Sequence, residues 1–297
     1  MAKGRQLKGR IRSVQNTRKI TRTMELVATS KLKRAQDRVV AARPYADALR
    51  EVIGDLMTPE LAERFPLLRR PAPPAEGGPR RAALILLTAN RGLAGAYNAN
   101  LIKEARRRIQ QLESEGYEVE LHGVGKKGIG FFKYLGREFA VERTDIGDKP
   151  TAAHAAELVA PLIAAYERGE LASVDLVQPQ FLSALSTPPA TVRVLPVEAP
   201  AARPGTADAG TPDYLLEPSA DAILEELLPL YVRNAVYRGL VEMVAAFYGA
   251  QRTAMKNATD NAGEVLEYLK RTYNRQRQAQ ITQEIAEIVG GAAALQQ

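Results

Sequence analysis

The stretch ATSKLKRAQDRVVAARPYADALREVIGDL, residues 28–56, repeats small and apolar residues at alternating intervals of four and three. This spacing is the heptad pattern of a coiled coil, in which one stripe of a helix faces a partner helix. It predicts a long N-terminal helix, about 80 Å long over residues 3–56. Leu7, Ile11 and Val14 begin in the same phase, and Ile20 and Met24 drift from it. The predicted seam consists of Ala28, Leu32, Ala35, Val39, Ala42, Ala46, Leu49, Ile53 and Leu56.

The helical signal returns at the other end of the chain, from Asp221 to about Leu295. About 75 residues of helix would span roughly 110 Å. Two long helices that leave one central domain are expected to pair antiparallel, and equal rise would place residue 3 opposite roughly residue 274. The predicted seam of this second helix consists of Val241, Val244, Tyr248, Gln251, Met255, Ala258, Ala262, Val265 and Leu269.

Between the helices the pattern changes to alternating strands and helices, which predicts a mostly parallel sheet covered by helices. Strands are expected in RAALILLTA, YEVELHGVG, ASVDLVQPQF and ATVRVLPVE, and helices in NANLIKEARRRIQQLES and TAAHAAELVAPLIAAYERGE. The predicted fold class is therefore α+β, with a long antiparallel coiled coil and a central α/β (Rossmann-like) domain. The predicted boundaries are an N-terminal helix at 1–56, a Pro-rich linker at 57–80, the α/β domain at 81–198, a second linker at 199–220 and the C-terminal helix at 221–297.

The last residues of the chain, 274–297, extend beyond the predicted end of the partner helix. A lone helix of this length is marginal in water. Its apolar stripe would also be exposed, so we expect other chains to cover it, although a disordered tail is the alternative. The stripe contains Ile281, Ile285, Ile288, Ala292 and Leu295.

The charge of the chain is concentrated near its start. Residues 1–38 hold twelve Lys or Arg and two acidic residues, a net of +10, so the remainder carries −3 of the total +7. Such asymmetry implies an acidic partner: nucleic acid, an anionic membrane surface or an acidic protein. The chain has no cysteine, which excludes disulfides, thiol catalysis and zinc-thiolate sites. No apolar run approaches the roughly 18 residues needed to span a bilayer.

Three motifs resemble the gamma subunit of F-type ATP synthases, in order and over the whole chain. RIRSVQNTRKITRTMELVATSKLKRA is similar to that family's N-terminal motif and LILLTANRGLAGAYN to its central strand and turn. AMKNATDNA followed by RQAQITQEIAEIVGGAAAL is similar to its C-terminal signature. No transit peptide precedes the first heptad, so we expect the bacterial type. The cysteine-bearing insertion of the chloroplast type is absent, which excludes thiol regulation of that kind.

The resemblance implies a rotor shaft with no catalytic site, metal or cofactor of its own. One copy would stand inside a ring of three alpha and three beta subunits, with its foot on an epsilon subunit and a membrane-embedded c-ring. Proton-driven rotation would then drive ATP synthesis on beta, or the reverse. The expected location is peripheral, on the cytoplasmic face of the bacterial cell membrane.

The resemblance also assigns surface residues. Arg277, Gln278 and Thr282 match the family's contacts with a beta loop, and Met24 matches the position that faces the acidic lever of beta; solvated helix faces and an ordinary seam methionine are the alternatives. We expect Ile285, Ile288 and Leu295 of the stripe to join this interface. A basic collar suited to the acidic lever is expected from Lys19, Arg22, Lys31, Lys33 and Arg34.

The chain also departs from the family pattern. Ala246, Phe247 and Gln251 stand where the family usually has Ser, Glu and, four residues on, Arg, which places any ion pair there in doubt. In the central motif, Ala89, Asn90 and Ala94 replace the more usual Ser, Asp and Cys.

Three other interpretations come from the residues themselves. The stretch GVGKKG, residues 123–128, fits the G-x-G-x-x-G pattern of dinucleotide binding after a predicted strand, although a lone match is weak evidence. His122 and His154, the two histidines, lie without the neighbours of a metal site and are expected to be structural. A basic coiled coil that binds nucleic acid is the alternative function, although its cations lack interleaved aromatics.

Overall fold

The computed structural model describes residues 2–56, 63–69, 80–198 and 219–294. The predicted linkers at 57–80 and 199–220 lie mostly outside these ranges. The main elements in chain order are α1 (Ala2–Leu56), β1 (Arg80–Leu87), α2 (Tyr97–Ser114), β2 (Tyr117–Val124), α3 (Lys126–Tyr134), β3 (Val141–Arg143), α4 (Ala152–Glu167), β4 (Ser173–Pro179), β5 (Pro189–Leu195) and α5 (Ala220–Ala294).

The chain divides into two compact units. The helix-pair unit combines Met1–Thr29 with Gln251–Gln297, and the α/β unit comprises Ser30–Ala250. Both α1 and α5 therefore contribute residues to each unit.

The α/β unit is built on a five-stranded sheet in the order β3-β2-β1-β4-β5. β1 pairs in parallel with β2 and β4, β2 pairs in parallel with β3, and β5 runs antiparallel to β4. The apolar run Ala82–Leu87 is buried throughout, as expected of a central strand with both faces covered. The predicted mostly parallel sheet with covering helices is confirmed.

Sequence periodicity missed two short elements, β3 and α3. β3 has three residues, too few for an alternating pattern to emerge. α3 follows the glycine-rich stretch and contains Gly128 and Gly130, which lower helical propensity. Neighbouring structure, rather than local sequence, therefore stabilises these elements.

The helix-pair unit is antiparallel, as predicted. Thr21 of α1 meets Thr259 of α5, where their Oγ1 atoms are 2.8 Å apart. Nearer the start of α1, a Cβ atom on Gly4 would lie 3.7 Å from Oε1 of Gln280. The equal-rise count placed residue 3 opposite residue 274, whereas Gly4 lies beside a residue further along α5. The count ignored any stagger between the two helices.

The predicted seam of α1 is buried from Ala28 to Leu56, apart from the half-buried Ala42. The seam predicted for α5 is wrong at two positions. Ala258 is half-buried, whereas Thr259 beside it is 7% exposed. Val265 is 47% exposed, and Leu266 beside it is 5% exposed. The buried positions, separated by 4, 4, 3, 4 and 3 residues, are Gln251, Met255, Thr259, Ala262, Leu266 and Leu269. Two consecutive steps of four, followed by a step of three, cover eleven residues in about three turns, and this shifts the heptad phase.

Candidate functional site

The end of α5 forms an exposed helical surface. Every residue from Ile281 to Val289 is exposed, and the exposed fraction is 57% for Ile285 and 71% for Ile288. At about 100° per residue, Ile281, Ile285 and Ile288 fall on one narrow stripe. Arg277 lies at one edge of the stripe, and Gln278 and Thr282 lie toward the other. The predicted contact residues therefore share one surface, and we call it the tip surface.

The polar part of the tip surface consists of three exposed side chains, one of which hydrogen bonds to the backbone of its own helix. Arg277, Gln278 and Thr282 are all exposed. The Thr282 hydroxyl donates to the Gln278 carbonyl oxygen at 3.0 Å, a bond that leaves the hydroxyl able to accept from a partner. Leu295, the last predicted member, lies outside the described residues.

The predicted basic collar divides between the two units. In the helix-pair unit, Lys19 and Arg22 are exposed, and Arg22 pairs with Glu25 at 2.9 Å. In the α/β unit, Arg34 is exposed and Lys33 pairs with Asp37 at 2.9 Å on the surface of α1. These four side chains present positive charge to the outside.

Lys31, the fifth member of the collar, makes internal contacts. Its Nζ lies 2.6 Å from Oδ2 of Asp148 and 3.0 Å from the hydroxyl of Tyr248. These hydrogen bonds raise the pKa of Lys31. Lys31 is thus charged but already paired within the α/β unit, a contact that no local pattern in the sequence indicates.

Met24 is half-buried on α1 and lies close in sequence to a polar part of the helix-pair seam. Thr21 and Thr259 are 9% and 7% exposed, and the Thr259 hydroxyl can donate to Thr21. The Arg18 guanidinium lies beside Gly263 of α5, where a Cβ atom would meet it in ordinary van der Waals contact at 3.8 Å. Sequence reasoning missed these contacts because Thr, Arg and Gly do not mark an apolar seam.

In the glycine-rich turn between β2 and α3, backbone N–H groups are hydrogen bonded to other parts of the same chain. The backbone N–H of Lys126 donates to Oδ1 of Asn90 at 3.0 Å, and the N–H of Gly128 donates to Oγ1 of Thr88 at 2.9 Å. The N–H of Lys127 donates to the carbonyl oxygen of Ala89 at 3.2 Å. A dinucleotide fingerprint requires free N–H groups at this helix start for a pyrophosphate. Here the first amides of α3 are bonded to the loop after β1.

Two of the departures from the family pattern, Phe247 and Asn90, have structural partners. Phe247 packs edge-to-face on Tyr97 and on Tyr248, with ring centroids 5.9 Å and 5.1 Å apart. Aromatic packing therefore stands where the resemblance led us to expect a charged residue. Asn90 donates through Nδ2 to the carbonyl oxygens of Thr144 and Ile146, at 3.0 Å and 3.2 Å, which a carboxylate could not do.

Both histidines have structural partners. His154 caps α4: its backbone N–H donates to Oγ1 of Thr151, and its Nδ1 accepts from the Thr151 N–H at 3.2 Å. His122 is buried, with Nε2 lying 2.8 Å from Oε1 of Glu120. Burial lowers the pKa of His122, although Glu120 opposes this. Among the described residues, no group of three or more His, Cys, Asp or Glu is placed to hold a metal ion.

None of the helices in the described ranges is long and apolar enough to cross a membrane. A paired helix that continues into an exposed apolar stripe is typical of a chain that binds other chains through that stripe, as a subunit of a larger assembly does.

Comparisons with known proteins identify that assembly. The family described as ATP synthase matches residues 3–295. An ATP synthase gamma chain from Gemmatimonas aurantiaca is 66% identical over 297 residues, covering 100% of both chains. The chain belongs to the family of ATP synthase gamma chains.

Solved structures of low sequence identity share its fold. A chain from the OSCP, F1 and c-ring part of the Euglena gracilis mitochondrial ATP synthase has a TM-score of 0.66 at 17% identity, covering 99% of this chain and 95% of that one. A chain from the central stalk and c-ring part of the Tetrahymena thermophila enzyme has a TM-score of 0.57 at 19% identity, covering 80% and 99%.

Proposed function

We propose that this chain is the central rotor shaft of an F-type ATP synthase. The observation that carries the proposal is the tip surface, an exposed apolar stripe at the end of a helix that its partner helix does not cover. In water, apolar area of this kind costs roughly 25 cal/mol per Å² relative to its buried state. Enclosure by a ring of other subunits would remove that cost. Membership of the gamma chain family supports the same assignment.

The mechanism that we propose depends on asymmetry. A single shaft inside a ring with threefold symmetry presents a different face to each beta subunit, so it favours a different conformation at each of three identical sites. Rotation of the c-ring would turn the shaft and move each beta site through its binding states. ATP chemistry would take place on beta, and this chain would transmit rotation without a catalytic site.

The proposed contacts follow from chemistry. Arg277, Gln278 and Thr282 would make polar contacts with a loop of beta, and Ile285, Ile288 and Leu295 would line an apolar sleeve formed by the ring. Met24 and the collar residues Lys19, Arg22, Lys33 and Arg34 would face acidic surface on beta. Epsilon and the c-ring would bind at the foot, on the cytoplasmic face of a bacterial membrane.

The test is the composition of the intact complex. It would be extracted gently from source membranes through a tag on one nucleotide-binding subunit and weighed by native mass spectrometry. We expect one copy of this chain with three alpha and three beta subunits. Its absence from the complex, or its recovery with nucleic acid instead, would overturn the proposal and favour a basic coiled coil that binds nucleic acid.

A further inference from the structure

Residue Asp148 lies in the loop between β3 and α4 and is held by both terminal helices. From α1, Lys31 pairs with its carboxylate at 2.6 Å, and Nη1 of Arg38 donates to its main-chain oxygen at 2.7 Å. From α5, the Tyr248 hydroxyl shares the Lys31 ammonium at 3.0 Å. We call Lys31, Arg38, Asp148 and Tyr248 the clamp. All four residues lie in the α/β unit.

The clamp is buried at its Tyr248 end, whereas the side chains of Lys31 and Asp148 are 35% and 45% exposed. Tyr248 is 2% exposed, and Nζ of Lys31 lies 5.1 Å from the centre of its ring, within range of a cation–π contact. Burial acts to raise the pKa of Asp148, but hydrogen bonds from Lys31 and Tyr248 outweigh it and lower that pKa. The carboxylate is therefore ionised and bonded at neutral pH, and its contacts are directional.

The spacing of the two cations on α1 resists sliding. Lys31 and Arg38 are seven residues apart, about two turns, so both point to the same side of the helix. A shift of α1 by one residue is about 1.5 Å of rise and 100° of rotation. Such a shift would break both contacts with Asp148 together.

The loop that carries Asp148 is itself fixed to the sheet. Asn90, which follows β1, donates to the carbonyl oxygens of Thr144 and Ile146. The side chain of Ile146 is 2% exposed. A continuous path of short polar contacts thus runs from the end of β1, through the loop, to α1 and α5.

We infer that the clamp is a torque-bearing joint, in which Asp148 is the positioning residue that keeps α1 and α5 from slipping against the α/β domain during rotation. The inference rests on the proposed rotor function. During ATP hydrolysis, a shaft that slips at this joint would let the helices turn inside the ring without turning the domain fully. Hydrolysis on beta would continue, and fewer protons would be moved for each ATP.

The experiment uses the whole complex in inverted membrane vesicles. ATP hydrolysis and ATP-driven proton uptake are measured on the same vesicles, and the subunit composition is checked by mass spectrometry. The variants are Asp148→Asn, Lys31→Met and Tyr248→Phe. We expect proton uptake per ATP to fall about threefold in Asp148→Asn and in Lys31→Met, and by less in Tyr248→Phe. Loss of one charged hydrogen bond is expected to weaken the joint by a factor of about this size.

Two further comparisons separate this role from general stability. Lys31→Met/Asp148→Asn should lose no more coupling than either single variant, and the charge exchange Lys31→Asp/Asp148→Lys should recover part of it. The matched control is Lys133→Met, which breaks an ion pair of similar length, 2.7 Å, between Lys133 of α3 and Glu142 of β3. That control should leave proton uptake per ATP unchanged.

The outcomes divide cleanly. Normal coupling in all variants, or an equal fall in the Lys133→Met control, would overturn the clamp and leave the rotor function intact. If Asp148→Asn does not assemble, Tyr248→Phe and the charge exchange still decide the question. A wild-type complex that lacks this chain would instead contradict the rotor function itself.

Discussion

Gly125 shows how one residue position depends on the fold around it. Its φ is +93°, and a Cβ atom there would collide with the main-chain oxygen of Thr88. We therefore expect Gly125→Ala to lower the free energy of unfolding by about 3 kcal/mol or more, from backbone strain together with the steric clash. Urea unfolding of the purified chain, followed by circular dichroism, measures this.

Gly116 is the matched control for that substitution. It also has a positive φ, +84°, but no atom would lie within 4 Å of an added Cβ. Gly116→Ala should therefore cost only the backbone strain, about 1 to 2 kcal/mol. Equal losses at the two positions would show that the contact with Thr88 contributes nothing to the requirement for glycine.

The same residues show what a motif can and cannot predict. GVGKKG matches a dinucleotide fingerprint because close backbone approach needs glycine, whatever approaches. Here Gly125 and Gly128 are approached by Thr88 of the protein itself. The sequence correctly indicated a strand before the glycine pattern, but only the fold shows what occupies the space above the glycines.

At the scale of single elements, long periodic segments were predictable and local phase was not. The α1 seam was predicted correctly, because Ala and Leu at regular spacing give a strong signal over many turns. In α5, Thr259 takes a buried position without an apolar signal, and the prediction assigned Ala258 and Val265 to the seam in place of Thr259 and Leu266. Polar residues that hydrogen bond across a seam are invisible to a hydrophobic pattern.

The corrected seam of α5 makes a direct prediction. Leu266→Ala should lower the free energy of unfolding by about 2 to 4 kcal/mol, because it leaves a cavity in the helix pair. Val265→Ala should change it by less than about 0.5 kcal/mol, since the side chain is 47% exposed. Thermal unfolding of the two variants side by side measures the difference, and a larger effect at Val265 would contradict the assigned phase.

At the scale of the whole molecule, the sequence also predicted surface features that the packing of the chain itself does not need. It indicated a basic N-terminal helix and an apolar stripe on an overextended C-terminal helix, and both features concern partners rather than internal packing. The clamp, by contrast, joins residues 31, 38, 148 and 248, which are far apart in the chain. Their proximity follows from the strand order and the packing of helices, which periodicity does not specify.

The tip surface gives a test that separates folding from assembly. Ile285 and Ile288 are exposed, so Ile285→Gln/Ile288→Gln should leave the thermal stability of the free chain within about 0.5 kcal/mol of the wild type. In the complex, losing two buried isoleucines would weaken association by about 3 kcal/mol or more. Ile53→Gln is the control, because Ile53 is fully buried in α1 and its replacement should destabilise the free chain.

The two measurements are the melting temperature of the free chain and its recovery with tagged alpha and beta subunits at limiting concentration. We expect the tip variant to melt like the wild type but to be recovered poorly, since its side chains have no internal partner to lose. A lowered melting temperature would mean that the stripe packs within the chain. Full recovery would mean that no sleeve of alpha and beta covers this part of α5.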